Sequence, residues 1–206
     1  MVCMTETAVP GLRERKKQQT RDAIIGAALD LFERQGYDAT TVEEIAEAAD
    51  ISPRTFFRYF DSKVDVVMDK DERDSDDFAG RLAIRPPHEG PIEAMRQVIS
   101  AELGQVVKEN PLFVRQMRLM LRTPSLHALA REHFHEHEAE IVHDVAERLH
   151  LPEEDLRVHV IAAALGNTIW AVVGRWVDED SPPERLAEMI DEACTMLSTG
   201  LDIKPT

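Results

Sequence analysis

"TTVEEIAEAADISPRTFFRYFDSK", residues 40–63, holds two short helical patterns separated by a punctuated break. Thr40 or Thr41 stands where a helix cap is wanted, and Glu43 and Glu44 follow in the first turn, where the helix dipole favours acids. Val42, Ile45, Ala46 and Ala49 then recur at helical spacing, and Asp50 ends the run. Ser52-Pro53 starts the next helix: the serine caps it, and proline at the first position lacks only an N–H that would be orphaned there. The spacing predicts a helix over Pro53–Phe60 with Phe56 and Phe60 on its inner face. Pro53, Arg54, Thr55, Phe57 and Arg58 are left facing outward, and Tyr59 and Lys63 close the block.

Outward from this stretch, helix signals continue and strand signals are nearly absent. Upstream, Ile24, Ala27, Ala28, Leu31 and Phe32 predict a helix from about Arg13 to Gln35, with Gly36 after its end. Downstream, Ser62 caps a fourth helix that continues through the acidic stretch Asp69–Asp77, and Arg85-Pro86-Pro87-His88-Glu89-Gly90 is the clearest break in the chain. Five further helices are expected over Pro91–Asn110, Pro111–Arg122, Ser125–Leu149, Pro152–Asp178 and Pro182–Thr199. The fold class is all-α, with about nine helices. Residues 1–12 form a flexible tail, 13–68 a three-helix helix-turn-helix domain, and 69–206 a helical bundle for ligand binding and dimerisation.

The charge follows this division. Of a formal net charge of -15, residues 1–63 carry -2 and the remainder -13. Within residues 11–21 five bases (Arg13, Arg15, Lys16, Lys17, Arg21) face a single acid, Glu14. The N-terminal part is therefore able to approach a polyanion that the rest would repel. Two helices joined by a tight turn and packed on a longer one form a unit whose second helix enters the major groove. In that reading Arg54 pairs with guanine and Thr55 meets a base edge, while Tyr59 and Lys63 grip phosphates. For Phe56 and Phe60 alone, core packing is sufficient explanation; Phe57 has no inward role at its spacing.

Residues from about Arg15 to Met68 resemble the DNA-binding domain of the TetR family of bacterial transcription regulators. The resemblance rests on an alanine-rich first helix, the Gly36-Tyr37 step, Thr40-Thr41 before the second helix, and the block from Thr55 through Lys63. Asp50 stands where the family usually has glycine, and Phe57 where tyrosine is common. The resemblance implies a DNA-binding set of Thr41, Pro53, Arg54, Thr55, Phe57, Arg58, Tyr59 and Lys63. It also implies a homodimer through the helices at about 152–178 and 182–199, bound to a palindromic double-stranded operator.

In the second domain, Phe113, Met117, Met120 and Leu121 make a soft wall suited to a flexible apolar ligand, although core packing explains each residue singly. Residues 113–149 and "GRWVDED" at 174–180 resemble the C-terminal domain of TetR regulators that sense acyl-CoA-like ligands, including mycofactocin-type regulators. The implied effector is small and hydrophobic, of the acyl-CoA type, with Phe113, Met117, Met120, Leu121, Phe134 and Trp170 around it. The function implied is a repressor released from its operator by that effector. The alternative class is an all-helical metal- or small-molecule-binding protein that uses His133, His135 and His137; those three cannot share one helix face, and no metal site or cofactor is expected.

No nucleotide-binding loop, nucleophile elbow or CxxC pair occurs, so no enzyme is expected. Two cysteines, Cys3 and Cys194, fit a reduced, cytoplasmic setting without a disulfide. The longest near-apolar run, Val160–Gly174, is short for a membrane span, and no membrane partner is expected.

Overall fold

A computed structural model describes residues 11–68, 78–136 and 138–200; the side chains of Phe78, Glu102 and residues 133–136 lie outside that description. The acidic stretch 69–77, Cys3, His137 and the expected tail up to residue 10 are outside the described residues, as are the side chains of His133, Phe134 and His135. Eleven α-helices and no strand occur among the described residues. The chain divides into two compact units between Asp69 and Lys70.

The first unit is built on α1 (Leu12–Gln35), whose buried residues run from Ile24 and Ile25 to Leu31 and Phe32. Thr41 caps α2 (Val42–Ala48) in a reciprocal box: its hydroxyl accepts from the Glu44 N–H at 3.2 Å, and its own N–H donates to the Glu44 carboxylate at 2.8 Å. This satisfies two orphan donors at once. Asp50 then takes φ 54°, and the Ile51 N–H reaches back to the Ala46 carbonyl at 2.9 Å. A short polar side chain tolerates this left-handed step better than most, so the turn closes without glycine. Next come α3 (Pro53–Phe56) and α4 (Lys63–Met68).

The second unit comprises α5 (Phe78–Ala83), α6 (Pro91–Glu109), α7 (Pro111–Arg122), α8 (Pro124–Glu136), α9 (Glu138–Leu149), α10 (Leu156–Asp178) and α11 (Pro183–Thr199). The count exceeds the expected nine by two. One extra element arises where α4 and α5 flank residues 69–77, the other where α8 and α9 flank residue 137, and both intervals lie outside the described residues.

Two apolar clusters organise this unit. Leu82, Met95, Val98, Val145, Val158 and Leu165 join α5, α6, α9 and α10. Val107, Val114, Met117, Ile169, Trp176, Leu186 and Ile190 join α6, α7, α10 and α11. Cations fasten the joints, and the side chain of Arg148 is largely buried among them. The Arg148 guanidinium, in α9, donates to the carbonyls of Leu82 at 2.7 Å and Pro86 at 3.1 Å, and pairs with Asp144 at 2.8 Å. Arg122 and Arg118, on α7, donate to the carbonyls of Val177 and Ser181 at the end of α10. They tie α7 to the last turn of α10 and the chain that leaves it.

On α10 the buried face is Val158, Ala162, Leu165, Ile169, Val172 and Trp176. Leu156 and Val160 lie on another face, 76% and 58% exposed, with Ala163 and Ala164 also exposed. The helix extends beyond the apolar run 160–174 at both ends, so by length and composition alone it is long and apolar enough to cross a membrane. Its inner face nevertheless packs against α7, α9 and α11.

Candidate nucleic-acid interface

The Ser52 hydroxyl accepts from the Thr55 N–H at 3.1 Å and starts α3. The α-helix ends at Phe56, shorter than the expected Pro53–Phe60. Beyond it the bonds tighten: Arg58 donates to the Thr55 carbonyl at 3.2 Å and Tyr59 to the Phe56 carbonyl at 2.8 Å, before Phe60 returns to Phe56 at 3.1 Å. Three-residue bonding of this kind is common at helix ends. It leaves the anchors where the sequence puts them. Phe56 and Phe60 are buried, with ring centroids 5.8 Å apart. Pro53, Arg54 and Arg58 are exposed, and Phe57 is 52% exposed, edge-on to Phe56.

Four of the expected DNA-binding residues have work inside the protein. The Thr41 hydroxyl belongs to the α2 cap, where hydrogen bonds from the Thr41 backbone and hydroxyl, then from Gln35, hold the Glu44 carboxyl below its ordinary range. The Thr55 hydroxyl lies 2.9 Å from that of Ser52. Tyr59 is half-buried; its carbonyl accepts from Arg21 at 3.1 Å and its ring lies beneath Arg58. Lys63, expected on a phosphate, donates instead to the carbonyls of Tyr37, Asp38 and Thr40 at 2.8, 3.2 and 2.9 Å, and sits over the Tyr37 ring. The turn after α1 presents carbonyls that no helix satisfies, and an ammonium has three protons to offer. A phosphate at Lys63 must compete with all three.

Two residues of this unit have places that the sequence does not announce. Arg21 clamps the end of the recognition segment from 38 residues away, with its guanidinium 4.3 Å from the Phe60 ring centre. Only the local density of bases points toward it. Tyr37 is buried with no hydrogen-bond partner for its hydroxyl among the described residues. Burial, then the nearby Asp38 and Asp65, push its phenol up to about 12.

In the second unit, Phe113, Met117 and Leu121 belong to one apolar cluster against α10 and α11. Met120 is half-buried, and Trp170 stands edge-on to His127 at 5.3 Å. The structure thus gathers three of the wall residues into core packing and sets Trp170 in a separate aromatic pair. A cleft of about 350 Å³ lies between the start of α6 and the end of α11, lined by Pro91, Glu93, Arg96, Cys194 and Ser198. Hydrogen bonds from Arg96 and then Gln97 hold Glu93 down at about 2, and burial raises the Cys194 thiol, which disfavours the thiolate. A second cleft of about 510 Å³ is bordered by Arg85, His143, Arg148 and Glu153. Neither cleft is lined by the expected effector residues.

Residues 24–68 match the family described as "Bacterial regulatory proteins, tetR family", and residues 89–202 match the "MftR C-terminal domain". The HTH-type transcriptional regulator TcmR of Streptomyces glaucescens is 38% identical over 83% of this chain and 76% of its own length. Among solved structures, Thermus thermophilus FadR, a TetR-family repressor in complex with lauroyl-CoA, has a TM-score of 0.55 at 23% identity, covering 90% of this chain and 97% of its own. SmeT, the repressor of a Stenotrophomonas maltophilia multidrug efflux pump, in complex with triclosan, has a TM-score of 0.62 at 21% identity, covering 92% and 97%.

Proposed function

The chain belongs to the TetR family of bacterial regulatory proteins, and we propose that it is a homodimeric repressor released from a palindromic operator by a small hydrophobic effector of the acyl-CoA type. The observation that carries this reading is the recognition segment. Its two rings are buried while Arg54, Phe57 and Arg58 stand exposed on the same short element. In this reading Arg54 reads a guanine, Arg58 and Tyr59 contact the backbone, and Thr41, Pro53, Thr55 and Lys63 fix the element that carries them, with any phosphate contact at Lys63 secondary to its carbonyl ties.

The dimer is proposed through α10 and α11. The exposed Leu156, Val160, Ala163 and Ala164 form an apolar face that nothing covers among the described residues, and α11 carries an exposed Met196. Pairing two such faces would present two recognition segments to successive major grooves. A regulator working on bacterial DNA acts in the cytoplasm.

For the effector, the support is the acyl-CoA in the FadR relative and the soft side chains of α7; the triclosan in SmeT shows that this fold also serves aromatic ligands. An effector must favour the DNA-incompetent state to release the operator. The test is gel shift of the purified dimer on its own upstream DNA, with acyl-CoAs of increasing chain length. Each buried methylene is worth about 0.8 kcal/mol, so release should strengthen with length until the site is full. Operator binding that ignores every chain length would remove the acyl effector and leave the DNA-binding reading in place.

A further inference from the structure

The first part of α1 has no core to serve. Its buried residues begin at Ile24, and residues 11–17 are exposed throughout. An amphipathic helix usually ends where its apolar stripe ends, because packing supplies most of its stability. Here the helix continues for about three turns beyond the stripe, and those turns carry five bases against two acids, Glu14 and Asp22, the latter accepting from the Gln18 amide at 2.7 Å.

The bases are also ordered on its surface. Arg13, Lys17 and Arg21 follow one another at four-residue spacing and therefore stack in one column along the helix. The foot of that column is fixed: Arg21 donates to the Tyr59 carbonyl at 3.1 Å and lies over the Phe60 ring, at the end of the recognition segment. Lys17 and Arg13 then lie about 6 and 12 Å further along the axis, a span of roughly three to four base pairs at 3.4 Å each. Arg15 stands about 160° round the helix from Arg13, on the far side.

We infer that the Arg13–Lys17 column is a second DNA-contacting element, which grips backbone phosphates of the duplex beside the base pairs read by the recognition segment. Duplex DNA is the occupant because the column is cationic in an otherwise acidic chain and runs on from the proposed recognition surface. This rests on the DNA-binding reading above. The column carries no sequence preference; it adds affinity and salt dependence.

The experiment measures operator binding of the full-length protein against salt concentration for the wild type, R13Q/K17Q, R15Q and R13K/K17R, with ethylation interference on the wild type and the first variant. Each phosphate that a cation no longer neutralises lowers the slope of log K against log salt by about 0.9, so R13Q/K17Q in a dimer should reduce the slope by about 3 to 4. R15Q should stay near the wild type, and R13K/K17R should restore the slope. Interference should vanish at a few phosphates flanking each half-site, with the sequence preference unchanged. An unaltered slope in R13Q/K17Q, with normal operator binding, overturns the inference. So does an equal reduction in R15Q, which would mean diffuse charge rather than a column. If the wild type binds no duplex at all, the DNA-binding reading itself fails.

Discussion

The two units use the same kinds of residue in opposite ways. In the first, a short element divides its side chains cleanly: Phe56 and Phe60 go inward, and Arg54, Phe57 and Arg58 stay outside. A single exposed phenylalanine is ordinary on a protein surface; what sets this one apart is its place between two exposed arginines, Arg54 and Arg58, on one short element. In the second, Phe113, Met117 and Leu121, whose spacing suits a ligand wall, lie in a packed cluster, and Arg122 and Arg148 donate to carbonyls of neighbouring elements. There, apolar side chains and cations alike hold helices together. The lesson is that a functional residue shows itself where folding has no use for it. That condition holds for Arg54, Phe57 and Arg58, and fails for Thr41, Thr55, Tyr59 and Lys63 and in the bundle.

The sharpest way to break this contrast is to exchange the two kinds of phenylalanine. Phe60→Ala should cost about 3–5 kcal/mol of stability in denaturant unfolding, as large-to-small core changes do. Phe57→Ala should leave the unfolding midpoint within about 0.5 kcal/mol of wild type and weaken operator binding. Arg148→Ala should destabilise the bundle by about 3–5 kcal/mol, since it leaves the largely buried Asp144 carboxylate without its cation and removes the tie to the Leu82 and Pro86 carbonyls; at 6% and 13% exposure this pair is screened little by solvent. Lys63→Ala should cost about 1–3 kcal/mol by stripping a charged donor from three carbonyls, and a change confined to the salt slope of DNA binding would contradict that structural role.

The smallest effect concerns Tyr37. Its phenol is raised from 10.0 to about 12, mainly by burial, so the fold prefers the neutral form. That contribution is complete below about pH 10 and is lost as the pH rises toward 12, because the unfolded chain ionises first. Tyr37→Phe should therefore flatten the stability profile between those values. Near neutral pH it should be neutral or stabilising by up to about 1 kcal/mol, because it removes a buried hydroxyl that has no partner among the described residues. Parallel melts from pH 9 to 12 would check it; equal slopes for both proteins would refute the assignment.

Much of the first unit is legible in its residues alone. Ser52-Pro53 announces a helix start, and Thr41 with Glu44 a cap, because capping chemistry is local to a few residues. Asp50 is a residue type that tolerates left-handed geometry, and it takes φ 54°. Ties between distant residues are not legible. Nothing in residues 13–35 says that Arg21 will meet Tyr59, or that Lys63 will find the turn at Tyr37. On α10 apolar and small residues surround much of the helix, so periodicity alone does not say that Trp176 is buried and Leu156 is not. Met117 and Phe113 are ambiguous for the same reason: a core methionine and a ligand-lining one have the same spacing.

The central claim is that exposed residues of the recognition segment read base pairs, and Arg54 tests it most directly. The measurement is an operator selection from random duplexes, run side by side on the wild type and Arg54→Ala, with a melting curve of each. A bidentate arginine–guanine pair is worth about 1–3 kcal/mol of discrimination. The account predicts a palindromic motif for the wild type, relaxed preference at one symmetric pair of positions in the variant, and unchanged melting. An identical motif from both proteins, or a melting point that falls with the substitution, would contradict it.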